Sequence, residues 1–537
     1  MIGSKTQTHA PVASRARRRR GVPRGVPRGV LIALAAAAPT LVTVVLLYVH
    51  LGAHVRDFVP SFWNDQVGYW HRAASFSRVG LDSGYYAPNE HTAAWALNRF
   101  GVGGPWYPAL YGAIGSLVGW ELWTSIPINV VLLGLALAAF CLVGRLDRTQ
   151  ILLVALVGAA FWPIVLYIPT SSHEPLNQAL ALALALAMVP LIDRGGELSM
   201  PARLLIVALV VVASVIRLSW AVLLLPVALF AGPPSVRATL VRVAGATVLL
   251  AVLYWIAKVT QPPSYHSVIA AVNSVSSSPL DGVRALVDVA ADNARAFVQA
   301  KGLDPTTTNS TSLNPTHVES WTMIALVLVG LVVALRARSA PVRREWLFHV
   351  LNLAGIAVAA FLLYLPLGYF RVMGAHLLVS VLVMIKRRTF VPAGVLLAAC
   401  VVLVVPFLGM YDGWKPNFDP AQRARIEADQ ARFARDVHYD ASAPSPWCNT
   451  LFLSVALYDA RVTAIPPGIG VAYHLTDATS DPLRLPLKSQ WVLLGVPNDE
   501  ALDPVLAGQR LEHVATYSFG RLYRTARASC AGGATAG

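Results

Sequence analysis

FWNDQVGYWHRAASFSRVGLDSGYY, residues 62–86, decides how this chain is read. It opens a polar stretch held between two apolar runs, 29–51 and 121–144, each close to the ~20 apolar residues that carry a helix across the hydrocarbon of a bilayer. Runs of this kind recur, and composition agrees. Of 537 residues 56% are hydrophobic and 13% charged, against roughly a quarter charged in soluble globular domains. The class is a polytopic membrane protein.

Eleven spans are expected, near 29–51, 121–144, 150–169, 175–192, 202–216, 218–232, 238–258, 320–335, 346–366, 372–385 and 389–410. Of these the fifth, sixth and tenth are short. Starting inside, the cytoplasmic pieces are 1–28, 145–148, 193–203, 237–242, 336–344 and 386–388; counted with Glu345, which adjoins the fifth, they carry 21 Lys or Arg against the four acids Asp147, Asp193, Glu197 and Glu345. The remainder holds 22 basic and 24 acidic residues, so the net charge of +15 belongs to one side of the membrane. It reports topology and calls for no nucleic-acid partner. The expected order is a basic tail (1–28), an all-α membrane domain (29–410) with long outer loops 52–120 and 259–319, and an extracytoplasmic α/β domain (411–537). The N-terminus lies in and the C-terminus out.

Loop 52–120 carries four acids and many aromatics, too apolar a mixture for a disordered connector. Its end, WYPALYGAIGSLVG (106–119), is short for a span and reads as a helix at or dipping into the outer interface. Residues 280–300 of the second loop read as an amphipathic helix on the membrane surface or over the active face. In the last domain, 420–437 reads as helix and QWVLLGV and YSFGRLYRT as strands. Two of the four cysteines, Cys448 and Cys530, fall there, and a disulfide between them is the economical pairing in an oxidising compartment.

Ionisable residues at the outer face carry the functional question, because the chain has no P-loop, zinc spacing or nucleophile-elbow motif. Arg217 in SVIRLSW and Arg371 in LGYFRVMGAH each sit at the outer end of a predicted span. Such residues face protein, water or an anion, or else snorkel to the headgroups. Glu174 in PTSSHEPLNQA, after His173 and before Pro175, reads equally as a helix cap or a functional acid. Asp65 reads as the N-cap of a helix QVGYWHRA, as a catalytic base, or as both. Glu90, His91 and His71 are weaker candidates, with metal ligation conceivable only if they converge.

The first loop resembles that of the GT-C superfamily, the polytopic glycosyltransferases that use polyprenyl-phosphate-linked sugars, such as protein O-mannosyltransferases and the lipid A aminoarabinose transferase. In that family an acid after the first span is followed four residues on by Tyr, then by a small-residue turn and a Pro-aromatic stretch ending in Gly. The matching positions are Asp65, Tyr69, Gly80, Trp106, Tyr107, Pro108 and Gly119. The Glu174-Pro175 pair, the basic loop after the second span and Arg217 also fall where the family places comparable features. The resemblance implies an inverting transfer from a polyprenyl-phosphate sugar, with membrane lipids around the donor and a cell-envelope glycan, lipid or protein as acceptor. Asp65 would be the base, Arg217 and Arg371 would hold the donor phosphate, and Trp63, Tyr69, Trp70, His173 and Glu174 would line the pocket. One departure stands out: where the family often has a second acid, this chain has Gln66, which puts a divalent metal held by that carboxylate in question.

Two other classes remain, a transporter and a non-catalytic membrane scaffold that would tolerate loss of Asp65, Arg217 and Arg371 with folding intact, and a polymerase is a closer rival within the same chemistry. A transporter or flippase of lipid-linked glycans would need access from both faces, and the expected spans carry almost no ionisable residue at mid-depth. A polysaccharide polymerase or ligase would use the same outer face. The Ala, Val, Arg and Gly content points to a GC-rich bacterial genome, which makes decaprenyl-phosphate sugars candidate donors.

Overall fold

The computed structural model describes residues 26–60, 64–82, 86–91, 104–260, 278–299, 315–363, 369–413, 415–454, 460–474, 483, 485–495, 509–517, 520–526 and 530. Five of its helices are long and apolar enough to cross a membrane: Arg28–His50, Ser125–Val143, Glu174–Glu197, Val236–Thr260 and Val318–Arg336. Four more apolar helices, Arg148–Ala160, Met200–Ile216, Leu218–Phe230 and Phe390–Leu403, are shorter.

In chain order the helical elements are α1 (Arg28–Val44), α2 (Asn64–Val79), α3 (Trp106–Val118), α4 (Ser125–Val143), α5 (Arg148–Ala160), α6 (Trp162–Tyr167), α7 (Glu174–Arg194), α8 (Met200–Ile216), α9 (Leu224–Phe230), α10 (Val236–Thr260), α11 (Pro279–Gln299), α12 (Pro315–Arg336), α13 (Ala340–Leu363), α14 (Tyr369–Arg387), α15 (Phe390–Asp412) and α16 (Pro420–Asp436). Local chemistry sets several boundaries. Asp147 and Gln150 close a reciprocal capping box at the start of α5. The expected span 150–169 breaks at Phe161, because Pro163 brings no N–H and begins the separate helix α6. The expected span 218–232 opens as a 3-10 turn, Leu218–Leu223, before α9.

Packing runs α1 against α4 and α5, α4 against α7, α7 against α14, and α13 between α12 and α14. The basic segments assigned to the cytoplasm meet at one end of this bundle. Arg28 Nε donates to Leu146 O (3.2 Å), Arg344 Nε to Ile192 O (2.7 Å) and Gln150 Nε2 to Ile385 O (2.9 Å). Arg387 pairs with Asp193 and with Glu345, the latter at 2.8 Å, and Arg388 pairs with Asp147 at 2.9 Å.

The last domain carries a six-stranded sheet in the order β1-β3-β2-β4-β6-β5. Its strands are β1 (Tyr86–Pro88), β2 (Thr450–Leu453), β3 (Gly470–Tyr473), β4 (Trp491–Gly495), β5 (Leu511–Tyr517) and β6 (Gly520–Thr525). β1 to β4 are parallel and β5–β6 is an antiparallel hairpin. In the parallel part both faces are buried, as such sheets require. Leu451, Leu453, Val471 and Leu493 pack with Phe433 and Val437 of the α16 region, while Phe452, Ala472 and Val492 form a second core on the other face. Cys448 and Cys530 are disulfide-bonded, 82 residues apart in sequence.

A boundary at 411 therefore does not isolate this unit. The edge strand β1 comes from the segment 52–120 that follows α1, and α2 lays Val67 into the same core. Glu90 completes the join, its carboxylate accepting the N–H of Lys488 (2.5 Å) and of Ser489 (2.8 Å) and the Ser489 hydroxyl (2.6 Å).

Helix α3 spans 13 residues, about 20 Å at 1.5 Å per residue and short of the ~30 Å hydrocarbon core. Tyr107, Tyr111, Gly112 and Gly115 form its buried face, and α2 is its main neighbour. The approach depends on Gly112, where a Cβ would come within 2.7 Å of Phe76 Cβ and 2.8 Å of Ala73 O. Gly112→Val is thus expected to pry α2 from α3 and to cost about 2 kcal/mol, the usual scale of overpacking. Thermal unfolding of the full chain in nanodiscs measures this, and an unchanged midpoint would show that the α2–α3 contact has slack.

Candidate functional site

The chain enters α7 through Thr170–Ser172, which are completely buried. Asn129 of α4 holds that entry, its Nδ2 donating to Ile168 O (2.9 Å) and Thr170 O (2.8 Å) while Tyr111 donates to its Oδ1 (2.6 Å). This places Glu174 at the first position of α7 with only 2% exposure. One imidazole and two guanidiniums surround it. His173 Nε2 lies 3.9 Å from Glu174 Oε1, Arg217 Nη2 3.7 Å and Arg371 Nη1 3.8 Å. Arg217 arrives at the end of α8, where its backbone turns extended (φ −148°, ψ 113°), and Arg371 sits in the first turn of α14.

Those distances are ion pairs without a direct hydrogen bond, which needs about 3 Å. Neither oxygen of Glu174 has a hydrogen-bond partner among the described residues, and Arg217 Nη1 has none either. A buried carboxylate would ordinarily draw guanidiniums into contact. Here two stop short, so one negative charge stands inside a cluster with two fixed positive charges, and an anion entering there meets donors held at van der Waals range.

One wall is aromatic. The Tyr69 ring meets His173 edge-on at 4.7 Å and Tyr107 at 5.2 Å, and Tyr107 stacks on Tyr111 at 4.1 Å. Arg72, one turn along α2, lies over the Tyr69 ring at 4.7 Å and donates to Gly68 O at 3.1 Å. Burial, then the neighbouring Tyr111 and Tyr69, hold the Tyr107 phenol well above its ordinary pKa, so it is a neutral donor.

Five of the residues singled out in the sequence therefore come together: Tyr69, His173, Glu174, Arg217 and Arg371. Asp65 lies in the first turn of α2, four residues before Tyr69, with its side chain outside the described residues; Trp63 is outside them as well. Trp70 does not join the group. A helix turns 100° per residue, so Trp70 faces away from the Tyr69 side, donates to Glu121 O at 2.9 Å and packs with Val59, Ala74, Leu122 and Ile426. Glu90 is taken up by the domain join, and among the described residues no three of His, Cys, Asp and Glu converge as a metal site. Gln66 is fully buried and its Oε1 accepts the Ser171 N–H at 3.4 Å. A neutral amide tied to the backbone supplies no charge to a divalent cation, so the described residues do not fit one.

A second buried polar group lies on α13 and α14. Glu345, His349 and Asn352 follow at i, i+4 and i+7 along α13, all buried, and His376 and Ser380 face them from α14. His349 lies nine residues into its helix, about 14 Å along it, and neither ring nitrogen has a partner among the described residues. Glu319, near the start of α12, is likewise buried, and neither of its oxygens has a hydrogen-bond partner among the described residues. Its Oε1 lies 3.3 Å from where a Cβ on Gly374 would sit. His349 and Asn352 share a face with Glu345 at helical spacing, a signal masked by the apolar residues around them when the chain is read by hydropathy.

No protein-family model matches the chain, and no curated protein matches it significantly.

Proposed function

We propose that this chain is a membrane glycosyltransferase of the GT-C kind, moving a sugar from a polyprenyl-phosphate donor to an extracytoplasmic glycan, lipid or protein. In this reading the membrane domain has eleven spans in the plasma membrane, with the N-terminus in, and the Glu174 cluster opens on the outer side. The observation that carries the reading is the meeting of Arg217 and Arg371 around one buried carboxylate, neither in direct contact with it.

The chemistry follows from charge. When the anomeric carbon–oxygen bond breaks, negative charge grows on the leaving phosphate, and two fixed guanidiniums stabilise it in a site that excludes most water. Asp65 takes the proton of the acceptor hydroxyl as its oxygen attacks from the opposite face, which inverts the anomeric centre. Tyr69 and Tyr107 give the sugar flat apolar faces with hydroxyl rims. Glu174 keeps the two arginines from repelling each other when no phosphate is bound.

The test is donor turnover by the full chain in nanodiscs, with a panel of polyprenyl-phosphate sugars and a crude cell-envelope acceptor. Wild type should consume one donor, and Asp65→Asn should do so about 10²-fold more slowly, the lower end of what general bases contribute. Turnover equal in both would remove Asp65 from the centre, and a donor neither bound nor consumed would sink the reading. A second reading, transport of a lipid-linked glycan, is favoured by the buried Glu345–His349–Asn352 row. It predicts donor movement between leaflets without turnover, which the same nanodisc protein reconstituted in vesicles would display.

A further inference from the structure

Arg217 and Arg371 reach Glu174 from separate helices, and neither is locked to it by a hydrogen bond, so something else fixes how far apart the guanidiniums stand. α8 has ended at Ile216, and a long arginine side chain at an open turn carries ~2 kcal/mol of rotamer entropy. What anchors the turn is Trp220, fully buried and three residues past Arg217. Its backbone N–H donates to Arg217 O at 3.0 Å, and its indole N–H donates to Asn177 Oδ1 at 3.0 Å. Asn177 lies one turn after Glu174 on α7, and its Nδ2 donates to His173 O at 3.0 Å. The indole ring stacks on His376, centroids 4.5 Å apart and planes at 30°. His376 lies five residues after Arg371 on α14, and Asn352 of α13 holds it by a 2.6 Å bond to Nδ1 and a 2.9 Å bond to its carbonyl.

One indole thus touches each of the three elements that bring a charge to the site. We propose that Trp220 is a positioning residue that sets the separation of Arg217 and Arg371 around Glu174. This rests on the reading that the site handles a polyprenyl phosphate. A side chain that only fills core volume would carry no effect on chemistry per folded molecule, whereas a displacement of about 1 Å at a positioned group costs up to 10²-fold in rate.

Trp220→Phe keeps the stacked ring and removes the indole N–H, and Asn177→Ala removes the same bond from the other side. Both are compared with wild type in nanodiscs by thermal midpoint, by kcat and KM for the donor, and by affinity for decaprenyl phosphate as probe. Each variant should fold, keep its donor KM within about threefold, and lose roughly 30-fold in kcat, and the double variant should lose no more than Asn177→Ala alone, which also gives up the bond to His173 O. Decaprenyl phosphate should bind both more weakly than wild type. Unchanged kcat and affinity in the folded variants, or losses that multiply in the double variant, would overturn the proposal. A wild type that binds decaprenyl phosphate but turns over no donor ends the transferase reading and leaves the clamp to the affinity comparison. A wild type that binds none overturns the clamp too.

Discussion

Arg217→Ala should lower turnover of a polyprenyl-phosphate sugar by about 10³-fold, the upper end of what one donor to developing negative charge contributes. The reason lies in how the charge is held. Arg217 is 10% exposed and stands 3.7 Å from Glu174, and its Nη1 has no partner among the described residues. A charge kept this dry acts at low effective dielectric, where it does far more for a developing phosphate than a hydrated lysine at the rim would. Truncation also leaves Glu174 with less compensation, and stripping a partner from a buried ion destabilises on the scale of ~3 kcal/mol. Fold and chemistry are separated by a second variant. Glu174→Gln with Arg217→Met removes both charges at similar volume, so the thermal midpoint should recover while turnover stays low. Recovery of both would mean that Arg217 serves the fold alone, and Arg217→Ala within threefold of wild type would remove it from the reaction.

How much of this could be read without coordinates varies with the physical range of each signal. The long spans were legible because crossing hydrocarbon imposes a composition over some 20 residues, and all five long helices lie where apolar runs were expected. Arg217, Arg371 and Glu174 were legible as lone charges at span ends, and the requirement that a buried charge be partnered made their meeting a reasonable outcome. Trp70 could have been set aside: once QVGYWHRA was read as helix, adjacent residues had to face different ways. The breaks at Phe161 and Leu218 were harder. Pro163 gave a local cue for the first, but Leu218–Leu223 is as apolar as the helices flanking it, so its 3-10 turn is set by tertiary contacts around Trp220. The strand β1 was out of reach, since three residues ending in Pro88 leave no alternation and become a strand only because β3 offers an edge to pair with. Glu90 follows from that pairing, standing at φ 58° beside Asn89 at φ 48°, a conformation that nothing short of the completed join would support.

That join should also make the sheet unit sensitive to acid. His71 of α2 is fully buried against it, Nε2 at 3.1 Å from Ile465 O and Nδ1 at 3.3 Å from the Tyr86 hydroxyl, which in turn donates to Ser75 at 2.8 Å. Ser75 Oγ accepts the Gly468 N–H at 3.1 Å, so one polar knot ties α2, β1 and the last domain. Burial, with Arg72 adding to it, pushes the His71 pKa from 6.5 down to about 4, against the hydrogen bonds to Ile465 and Pro466. Between those two values the unfolded chain binds a proton that the folded one refuses, so stability is intact above pH 6.5 and falls as the pH drops toward 4. The full window amounts to about 3 kcal/mol, and about 2 kcal/mol should be gone by pH 5. Denaturant unfolding of the sheet unit within the full chain, at pH 7.5, 6 and 5, measures the slope. His71→Gln cannot take up that proton, so its stability should change less over the same range by about 2 kcal/mol at pH 5. Parallel slopes would assign the acid sensitivity to other histidines and carboxylates and leave the His71 knot with a packing role.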